Sequence, residues 1–236
     1  MGTGSRNGSA MDATSTAASD ATPGTLGLAR AIVALYAPLG PLTQLYVLLR
    51  LIAAPMIATA RLFPAAGEIL DLGCGHGIFA HLLLLANPRR RIVGIDVSSS
   101  RIEAARRVSP PHGGLSFQTG DAHDFPKRRF AVIALIDLLH HITYEEQETL
   151  LRLAVHALEE GGTIIVKDLE TRPRWKYWVH MLQDRLMYRW QRLYFRPREE
   201  MTGLLEGMGL VVSVHPLACW RPHPHIVYRC RRKGEP

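Results

Sequence analysis

The sequence predicts an α/β fold: a doubly wound, mostly parallel sheet of seven strands, with N-terminal helices and a helical lid insert. Two observations predict it. From Glu68 onward, short apolar runs alternate with longer amphipathic runs, which is the pattern of strands joined by helical crossovers. A chain of 236 residues with 47% hydrophobic residues is also long and apolar enough for one domain of that size with a large core.

The N-terminal quarter of the chain divides into a polar tail and an apolar segment. Residues 1–25 are rich in Gly, Ser, Thr and Ala without apolar periodicity, which predicts a disordered tail with no secretory signal. In the apolar segment 26–64, prolines interrupt an uncharged run and favour two helices, Leu26–Tyr36 and Leu42–Leu62, over a membrane span. These helices either cover one edge of the core or form an interfacial surface or the wall of an apolar pocket.

Residues 65–236 contain seven apolar runs of strand length, separated by amphipathic runs of helix length. The predicted strands are Glu68–Leu72, Arg91–Asp96, Leu115–Thr119, Ala131–Ile136, Thr163–Lys167, Leu210–Val214 and Ile226–Cys230. The predicted helices are Ile78–Leu85, Ser100–Val108, Tyr144–Leu158 and Pro173–Leu193. The last helix belongs to an insert over residues 173–208, which we interpret as a lid or as an ordinary cap on the core.

A glycine-rich loop follows the first predicted strand, and a predicted helix starts directly after it. Gly73, Gly75 and Gly77 have the spacing G-x-G-x-G, which differs from the G-x-G-x-x-G of dinucleotide enzymes. Glycines allow a tight turn there and let a ligand approach the backbone near a helix N-terminus. Asp71, two residues before the first glycine, suits a ligand with an ammonium group better than one with a pyrophosphate.

Two further acids stand at the ends of the next two predicted strands. Asp96 ends the second strand, where a carboxylate can accept hydrogen bonds from both hydroxyls of a ribose. Asp121 comes just after the third strand and can accept a bond from an adenine amino group. Each acid alone is compatible with an ordinary surface carboxylate, but the three acids in order favour a ligand that contains adenosine.

These motifs resemble the class I S-adenosylmethionine-dependent methyltransferases, closely over residues 68–168 and loosely over the last third of the chain. The resemblance implies a Rossmann-like methyltransferase fold with an antiparallel last strand, and S-adenosyl-L-methionine as the methyl donor. It assigns to donor binding the residues Asp71, Gly73, Gly75, Gly77, Asp96, Val97, Asp121, Ala122 and Asp137. The segment Ala131–Ile142 resembles the family's methionine-side and active-site segment, and Leu158–Val166 resembles its turn into the fifth strand.

His140 and His141 follow the fourth predicted strand, where the family places residues on the acceptor side. Methyl transfer from a sulfonium is an in-line displacement, so the protein mainly aligns the two reactants. A hydroxyl acceptor must also lose a proton, and neutral imidazole can take it near pH 7. Either histidine is therefore a candidate catalytic base for methylation at oxygen, with a capping or packing role as the alternative. Lys167 and Asp168, at the end of the fifth strand, are candidates for lining the acceptor pocket.

The last third of the chain is basic and carries the lid insert. From Glu170 onward there are 13 Lys or Arg and 6 Asp or Glu, so all of the net charge of +7 lies there. At helical spacing the lid combines an apolar stripe, Trp175, Trp178, Leu182, Leu186 and Trp190, with a basic face, Arg185, Arg189, Arg192 and Arg196. We therefore expect a hydrophobic small-molecule or lipid acceptor, with an acidic carrier protein or an anionic membrane surface as further partners.

Other classes of site and function are disfavoured. His123, His223 and His225 have no recognised metal-ligand spacing, so we expect no metal. The segment after the fourth strand lacks the Asn/Asp-Pro-Pro-aromatic motif of enzymes that methylate bases at nitrogen, which makes nucleic acid an unlikely acceptor. Cys74, Cys219 and Cys230 lie far apart, which favours a reducing cytoplasm over a disulfide scaffold.

The sequence therefore predicts a cytoplasmic methyltransferase, with peripheral membrane attachment as a further option. One alternative within the class is an RNA methyltransferase of another type. A nicotinamide oxidoreductase is opposed by the glycine spacing and by Asp71. A non-catalytic module that keeps the donor pocket is opposed by the intact loop and both downstream acids.

Overall fold

A computed structural model of the chain describes residues 24–111, 113–122, 128–170, 193–217 and 225–233. Its centre is a seven-stranded sheet with the order β3-β2-β1-β4-β5-β7-β6. The strands are β1 (Gly67–Leu72), β2 (Arg90–Asp96), β3 (Leu115–Thr119), β4 (Phe130–Ile136), β5 (Leu158–Leu169), β6 (Leu210–Leu217) and β7 (His225–Arg232). All pairings are parallel except those of β7, which lies antiparallel between β5 and β6. The predicted mostly parallel sheet with an antiparallel last strand is confirmed.

Helices cover both faces of this sheet, because their apolar sides bury hydrophobic surface against the sheet or against a neighbouring helix. The helices are α1 (Thr25–Leu35), α2 (Pro41–Ala53), α3 (Met56–Ala60), α4 (Ile78–Ala86), α5 (Ser99–Val108), α6 (Tyr144–His156) and α7 (Arg198–Gly207). Buried side chains of α1 to α5 form one hydrophobic cluster with the sheet, and those of α6 and α7 form another. The doubly wound arrangement is therefore confirmed as well.

The predicted helix Leu42–Leu62 is wrong in one respect, because it consists of two helices, α2 and α3. Ala54 separates them with an extended backbone, φ −104° and ψ 135°. It precedes Pro55, and a residue before proline avoids the helical region because the ring collides with its backbone.

The predicted strand Thr163–Lys167 is too short, and the predicted helix before it is too long. Helix α6 ends at His156, and β5 already begins at Leu158. The register against β4 shifts between Phe130 and Val132, which marks a bulge. Gly161, with φ 69°, lies in this bulge and allows the backbone to adopt it.

Several predictions concern residues outside the described part of the chain. The disordered tail lies there up to residue 23, while Thr25 already belongs to α1. Residues 173–192 of the predicted lid helix Pro173–Leu193, with its apolar stripe, are outside the described part. His123, Cys219 and His223 are outside it as well. Arg196 of the expected basic face is described and is buried against α6 instead.

Three further observations hold for the described residues alone. None of their helices combines the length and the apolarity that crossing a bilayer requires. They contain no group of three or more His, Cys, Asp or Glu side chains arranged to hold a metal ion. Cys74 and Cys230 are both free thiols.

Candidate functional site

The glycine loop connects the carboxyl end of β1 to α4 and has an unusual backbone. Gly73, Gly75 and Gly77 have φ angles of 68°, 55° and 72°, in the left-handed region that favours glycine. A Cβ atom at Gly73 or Gly77 would lie within 2.6 or 2.7 Å of a neighbouring side chain. At Gly75 the nearest atom to such a Cβ is Asp96 Oδ2, 4.0 Å away. The backbone of Gly75 therefore borders open space beside a carboxylate.

Asp96 holds this loop in place from the end of β2. Its Oδ2 accepts a hydrogen bond from the backbone N–H of Gly75 at 2.9 Å, and its Oδ1 accepts one from Ser98 at 2.9 Å. The backbone carbonyl of Asp96 accepts a bond from Gly120 at 3.1 Å, which joins the ends of β2 and β3. Val97, the next residue, is 70% exposed. Asp96 thus connects the glycine loop with the segment that holds Asp121.

Asp71 is the least exposed acid of the site. The residue is 2% exposed to solvent, and its carboxylate oxygen Oδ2 has no hydrogen-bond partner among the described residues. Burial, reinforced by the negative charge of Asp96, raises the pKa of Asp71 to about 7. A buried oxygen without a donor and a second carboxylate close by are an arrangement that a cationic ligand would stabilise.

Helices α1 and α2 support the glycine loop from the other side. The hydroxyl of Tyr36 donates a hydrogen bond to the carbonyl of His76 in the loop at 2.6 Å. The same oxygen lies 3.0 Å from Nδ1 of His81, which lies 2.7 Å from the carbonyl of Gly77. The ring of Tyr46 packs on the His76 ring with centroids 5.4 Å apart. The N-terminal helices are therefore part of the wall of this site.

Asp137, at the end of β4, belongs to a buried charge network. It has a φ of 53°, and both of its carboxylate oxygens accept hydrogen bonds from Lys167 Nζ, at 2.6 and 2.7 Å. Arg50 of α2 lies 3.6 Å from the same carboxylate. Burial raises the pKa of Asp137, but the cations Lys167 and Arg50 outweigh this effect and lower it below its usual range. We expected this carboxylate to contact the donor. Its charge is already neutralised by two cations of the protein.

The two candidate catalytic histidines lie in a short 3-10 turn, Leu139–His141, after β4. Nδ1 of His140 lies 2.6 Å from Oδ1 of Asp168, which also accepts a bond from the backbone N–H of Leu169 at 2.8 Å. The His140 ring is buried and stacks on Phe195, with centroids 5.2 Å apart. His141 is half-buried, and its ring lies 4.1 Å from that of His140. A carboxylate at Nδ1 fixes the tautomer in which Nε2 is the basic nitrogen.

The structure brings the predicted site residues to one edge of the sheet, because the carboxyl ends of parallel strands meet there. This edge carries the acid and the glycines after β1, Asp96 and Val97 after β2, the pair Asp121 and Ala122 after β3, and Asp137 with both histidines after β4. Asp121 is exposed and Ala122 is half-buried against the core. Lys167 and Asp168, expected at the acceptor pocket, pair with Asp137 and His140 at the same edge.

Sequence reasoning missed three residues of this site: Tyr36, Arg50 and Phe195. Arg50 had a signal, since it is the charge that ends the uncharged run Ala31–Leu49. Tyr36 and Phe195 had none, because their contacts join residues that are 40 and 55 positions apart in the chain. Local patterns do not encode such contacts.

The comparisons with known proteins agree with this geometry. A family model described as "Methyltransferase domain" matches residues 69–162. The chain is 32% identical over 100 residues to ribosomal RNA small subunit methyltransferase C of Stutzerimonas stutzeri, a match of 41% of this chain and 30% of that protein. It is 29% identical over 119 residues to a fatty-acid O-methyltransferase of Mycolicibacterium smegmatis, covering 50% of this chain and 42% of that protein. The chain thus matches less than half the length of these curated relatives.

Solved structures show the same fold. Mitomycin 7-O-methyltransferase superposes with a TM-score of 0.66 at 23% identity, over 78% of this chain and 54% of that one. An O-methyltransferase from neocarzinostatin biosynthesis, in complex with S-adenosylmethionine and 2-hydroxy-5-methyl naphthoic acid, superposes with a TM-score of 0.63 at 18% identity. That match covers 80% of this chain and 55% of the other. The Rossmann-like methyltransferase fold is therefore confirmed.

Proposed function

Because the chain carries a domain of the class I S-adenosylmethionine-dependent methyltransferase family, we propose that it methylates an oxygen atom of a small hydrophobic or lipid-like acceptor. The observation that carries this proposal is the His140–Asp168 pair, 2.6 Å apart, at the same sheet edge as the glycine loop. A methyl donor on the loop and a base for the acceptor would then meet across this edge.

The donor side of the proposal is based on Asp71, Asp96 and the open backbone at Gly75. S-adenosylmethionine supplies a methyl group that is activated by a sulfonium cation. The buried oxygen of Asp71 accepts from the ammonium group of the donor, and Asp96 accepts from its ribose hydroxyls. Asp121 accepts from the adenine amino group, with apolar contacts from Val97 and Ala122. Gly73 and Gly77, which have no side chain, allow the loop to pack closely against the neighbouring side chains.

Asp137 stays a candidate for the methionine side of the donor, in an orientation fixed by its partners. Lys167 holds both oxygens of its carboxylate, and Arg50 approaches from α2. Because Arg50 belongs to an N-terminal helix, this network connects that helix to the donor side. Asp137 would then contribute to donor binding through its fixed backbone, while its carboxylate is neutralised by the cations that contact it.

The acceptor side supports oxygen over nitrogen or carbon. Asp168 accepts from Nδ1–H of His140, so Nε2 is the atom that takes the proton of a hydroxyl acceptor. We assign the neighbouring His141, whose ring lies 4.1 Å from that of His140, to shaping the pocket. The rings of Phe195 and the two histidines give this side an apolar, aromatic character.

The nature of the acceptor is supported by the surface and by the relatives. The fatty-acid O-methyltransferase relative acts, by its name, on an apolar acceptor with an oxygen atom. Exposed apolar residues of α2 favour a membrane surface over an acidic carrier protein as the source of such an acceptor. The match to a ribosomal RNA methyltransferase covers 41% of this chain, so RNA stays the alternative acceptor to be tested.

Label transfer from S-adenosylmethionine tests the proposal. The protein is incubated with methyl-labelled donor and either a panel of fatty acids, phenols and lipid extract, or RNA. We expect label in the organic phase. With a phenol as acceptor, whose hydroxyl must lose a proton, we expect His140→Asn to lower the rate by about 100-fold or more while the Kd for S-adenosylhomocysteine is unchanged. The matched variant His141→Asn should change the rate by less than about fivefold, because the proposal assigns the proton transfer to His140, whose Nδ1 lies 2.6 Å from Asp168 Oδ1.

Three outcomes would contradict the proposal. Label in RNA alone would make the chain an RNA methyltransferase. Binding of S-adenosylhomocysteine without label in any acceptor would favour a non-catalytic module. Equal rates for wild type and His140→Asn would remove the histidine as the base.

A further inference from the structure

Helix α2 is apolar on two opposite sides. Val47 and Leu51 face the core and are 0% and 8% exposed. The helix also exposes Leu42 (81%), Leu45 (50%), Leu48 (41%), Leu49 (54%) and Ile52 (55%) to solvent. A surface helix of a globular domain normally carries polar side chains on its outer side, so these residues are an anomaly that calls for a partner.

The exposed residues form one continuous stripe. Leu42, Leu45, Leu49 and Ile52 are three or four positions apart, so they lie one above the other on a helix. At 1.5 Å per residue this stripe is about 15 Å long. We call these four residues, with Leu48 beside them, the outer stripe of α2.

The charged residues of the N-terminal helices all have one sign. The described residues 24–67 contain Arg30, Arg50 and Arg61, and no Asp or Glu. Arg30 and Arg61 are exposed to solvent, whereas Arg50 points to Asp137. The N-terminal helices thus combine an aliphatic outer surface with positive charge only.

We propose that the outer stripe of α2 docks onto the surface of an anionic lipid bilayer. An aliphatic outer side, in a segment whose exposed charges are arginines, suits a bilayer interface, where leucines insert below the headgroups and cations lie among the phosphates. The stripe contains only leucine and isoleucine, whereas protein interfaces depend on Trp, Tyr and Arg anchors, with Leu under-represented.

A second copy of the chain fits the outer stripe less well. In a two-fold dimer the same surface meets itself, so the arginines of one copy would approach those of the other. Arg50 already lies 3.6 Å from the Asp137 carboxylate, and residues 24–67 contain no carboxylate to pair with Arg30 or Arg61. An anionic lipid surface supplies the missing negative charge.

The docked helix would also reach the candidate site. On α2, Tyr46 packs against His76 of the glycine loop, and Arg50 lies 3.6 Å from the Asp137 carboxylate. Docking would therefore bring the wall of the site to the lipid surface, where a lipid-like acceptor is dissolved. This consequence rests on the proposed function, whereas the docking itself is measured without donor or acceptor and can fail separately.

Vesicle flotation with the full chain tests the docking. Wild type is mixed with vesicles of phosphatidylcholine containing about 30% phosphatidylglycerol, or of phosphatidylcholine alone. The double variant Leu45→Gln/Leu49→Gln removes two half-exposed side chains from the outer stripe, so its melting temperature should stay close to that of wild type. The matched control is Val211→Gln, because Val211 is 54% exposed on β6, away from α2.

We expect wild type and Val211→Gln to float with anionic vesicles, and the double variant to bind at least about tenfold more weakly. No flotation of wild type would overturn the proposal. Equal flotation of wild type and double variant would overturn it too, because another basic surface would then bind the lipid. A third result would assign the outer stripe to a second copy of the chain. In that case wild type would not float, light scattering would show a dimer, and the double variant would be monomeric.

Discussion

At the residue scale, two carboxylates of the candidate donor site have different hydrogen-bond partners. Asp96 accepts two backbone hydrogen bonds at 2.9 Å, which fix the glycine loop. Asp71 is 2% exposed, and one of its oxygens has no donor among the described residues. One acid therefore shapes the site, and the other is available to respond to the charge of a ligand.

This difference predicts a pH-dependent affinity for the donor. Burial and then the charge of Asp96 raise the pKa of Asp71 from 3.8 to about 7. A cationic donor favours the ionised carboxylate, so the affinity for S-adenosylhomocysteine, which keeps the ammonium group, should rise with pH up to about 7 and then level off. Calorimetric titrations at several pH values check this rise. Asp71→Asn should lose it, and an equal rise in that variant would contradict the role of Asp71.

The same pKa gives the sign of a stability change without donor. A carboxyl group whose pKa is raised by folding stabilises the fold fully below 3.8 and loses this contribution as the pH rises through about 7. The donor-free protein should therefore lose stability over this range relative to Asp71→Asn. Melting temperatures of both proteins, measured at the same pH values, check the direction.

At the element scale, Tyr36, the residue that follows α1, joins this helix to the glycine loop through its hydroxyl group. Tyr36→Phe removes the 2.6 Å bond to the His76 carbonyl and leaves that carbonyl without its donor. We expect a loss of about 1–2 kcal/mol in the free energy of unfolding. Tyr46→Phe is the matched control, because the Tyr46 hydroxyl has no hydrogen bond among the described residues and its ring contact stays.

Denaturant unfolding of both variants checks this prediction. The control should stay within about 0.5 kcal/mol of wild type. Equal losses in the two variants would mean that ring packing, rather than the hydroxyl bond, couples α1 and α2 to the loop.

Most elements could be predicted because their signals are local. The strands β1 to β4 are apolar runs bounded by glycine or charged residues, and their predicted bounds agree with the structure within one residue. The break at Ala54 and the early start of β5 were missed. The first depends on Pro55 within an apolar run, and the second on a bulge at Gly161 that only its partner strand defines.

The acids and glycines of the site could be predicted because they follow strands in a fixed order. The pairings between side chains of the site could not be predicted. His140 with Asp168 and Asp137 with Lys167 are pairs 28 and 30 positions apart, and they meet because β4 and β5 are parallel neighbours with Ile136 opposite Lys167. The sequence alone leaves strand order and register open, so it named these residues without their partners.

At the scale of the whole molecule, the family match covers one part of the proposed site, and other parts of the chain supply the rest. The match to the methyltransferase family covers residues 69–162, which contain the glycine loop, Asp96 and both histidines. The outer stripe of α2 and Phe195 lie outside this range. The proposed base His140 therefore lies inside the matched range, whereas the proposed lipid-binding surface lies outside it.

The central claim, that the sheet edge binds S-adenosylmethionine, is tested most directly by a thermal-shift titration with S-adenosylhomocysteine and with NADH. A ligand at about 100 times its Kd stabilises the fold by about 2.7 kcal/mol. We predict a shift with S-adenosylhomocysteine alone, and its loss in Asp96→Ala, because that variant lacks the ribose acceptor and the bond to Gly75. A shift with NADH alone, or an unchanged shift in Asp96→Ala, would contradict the account.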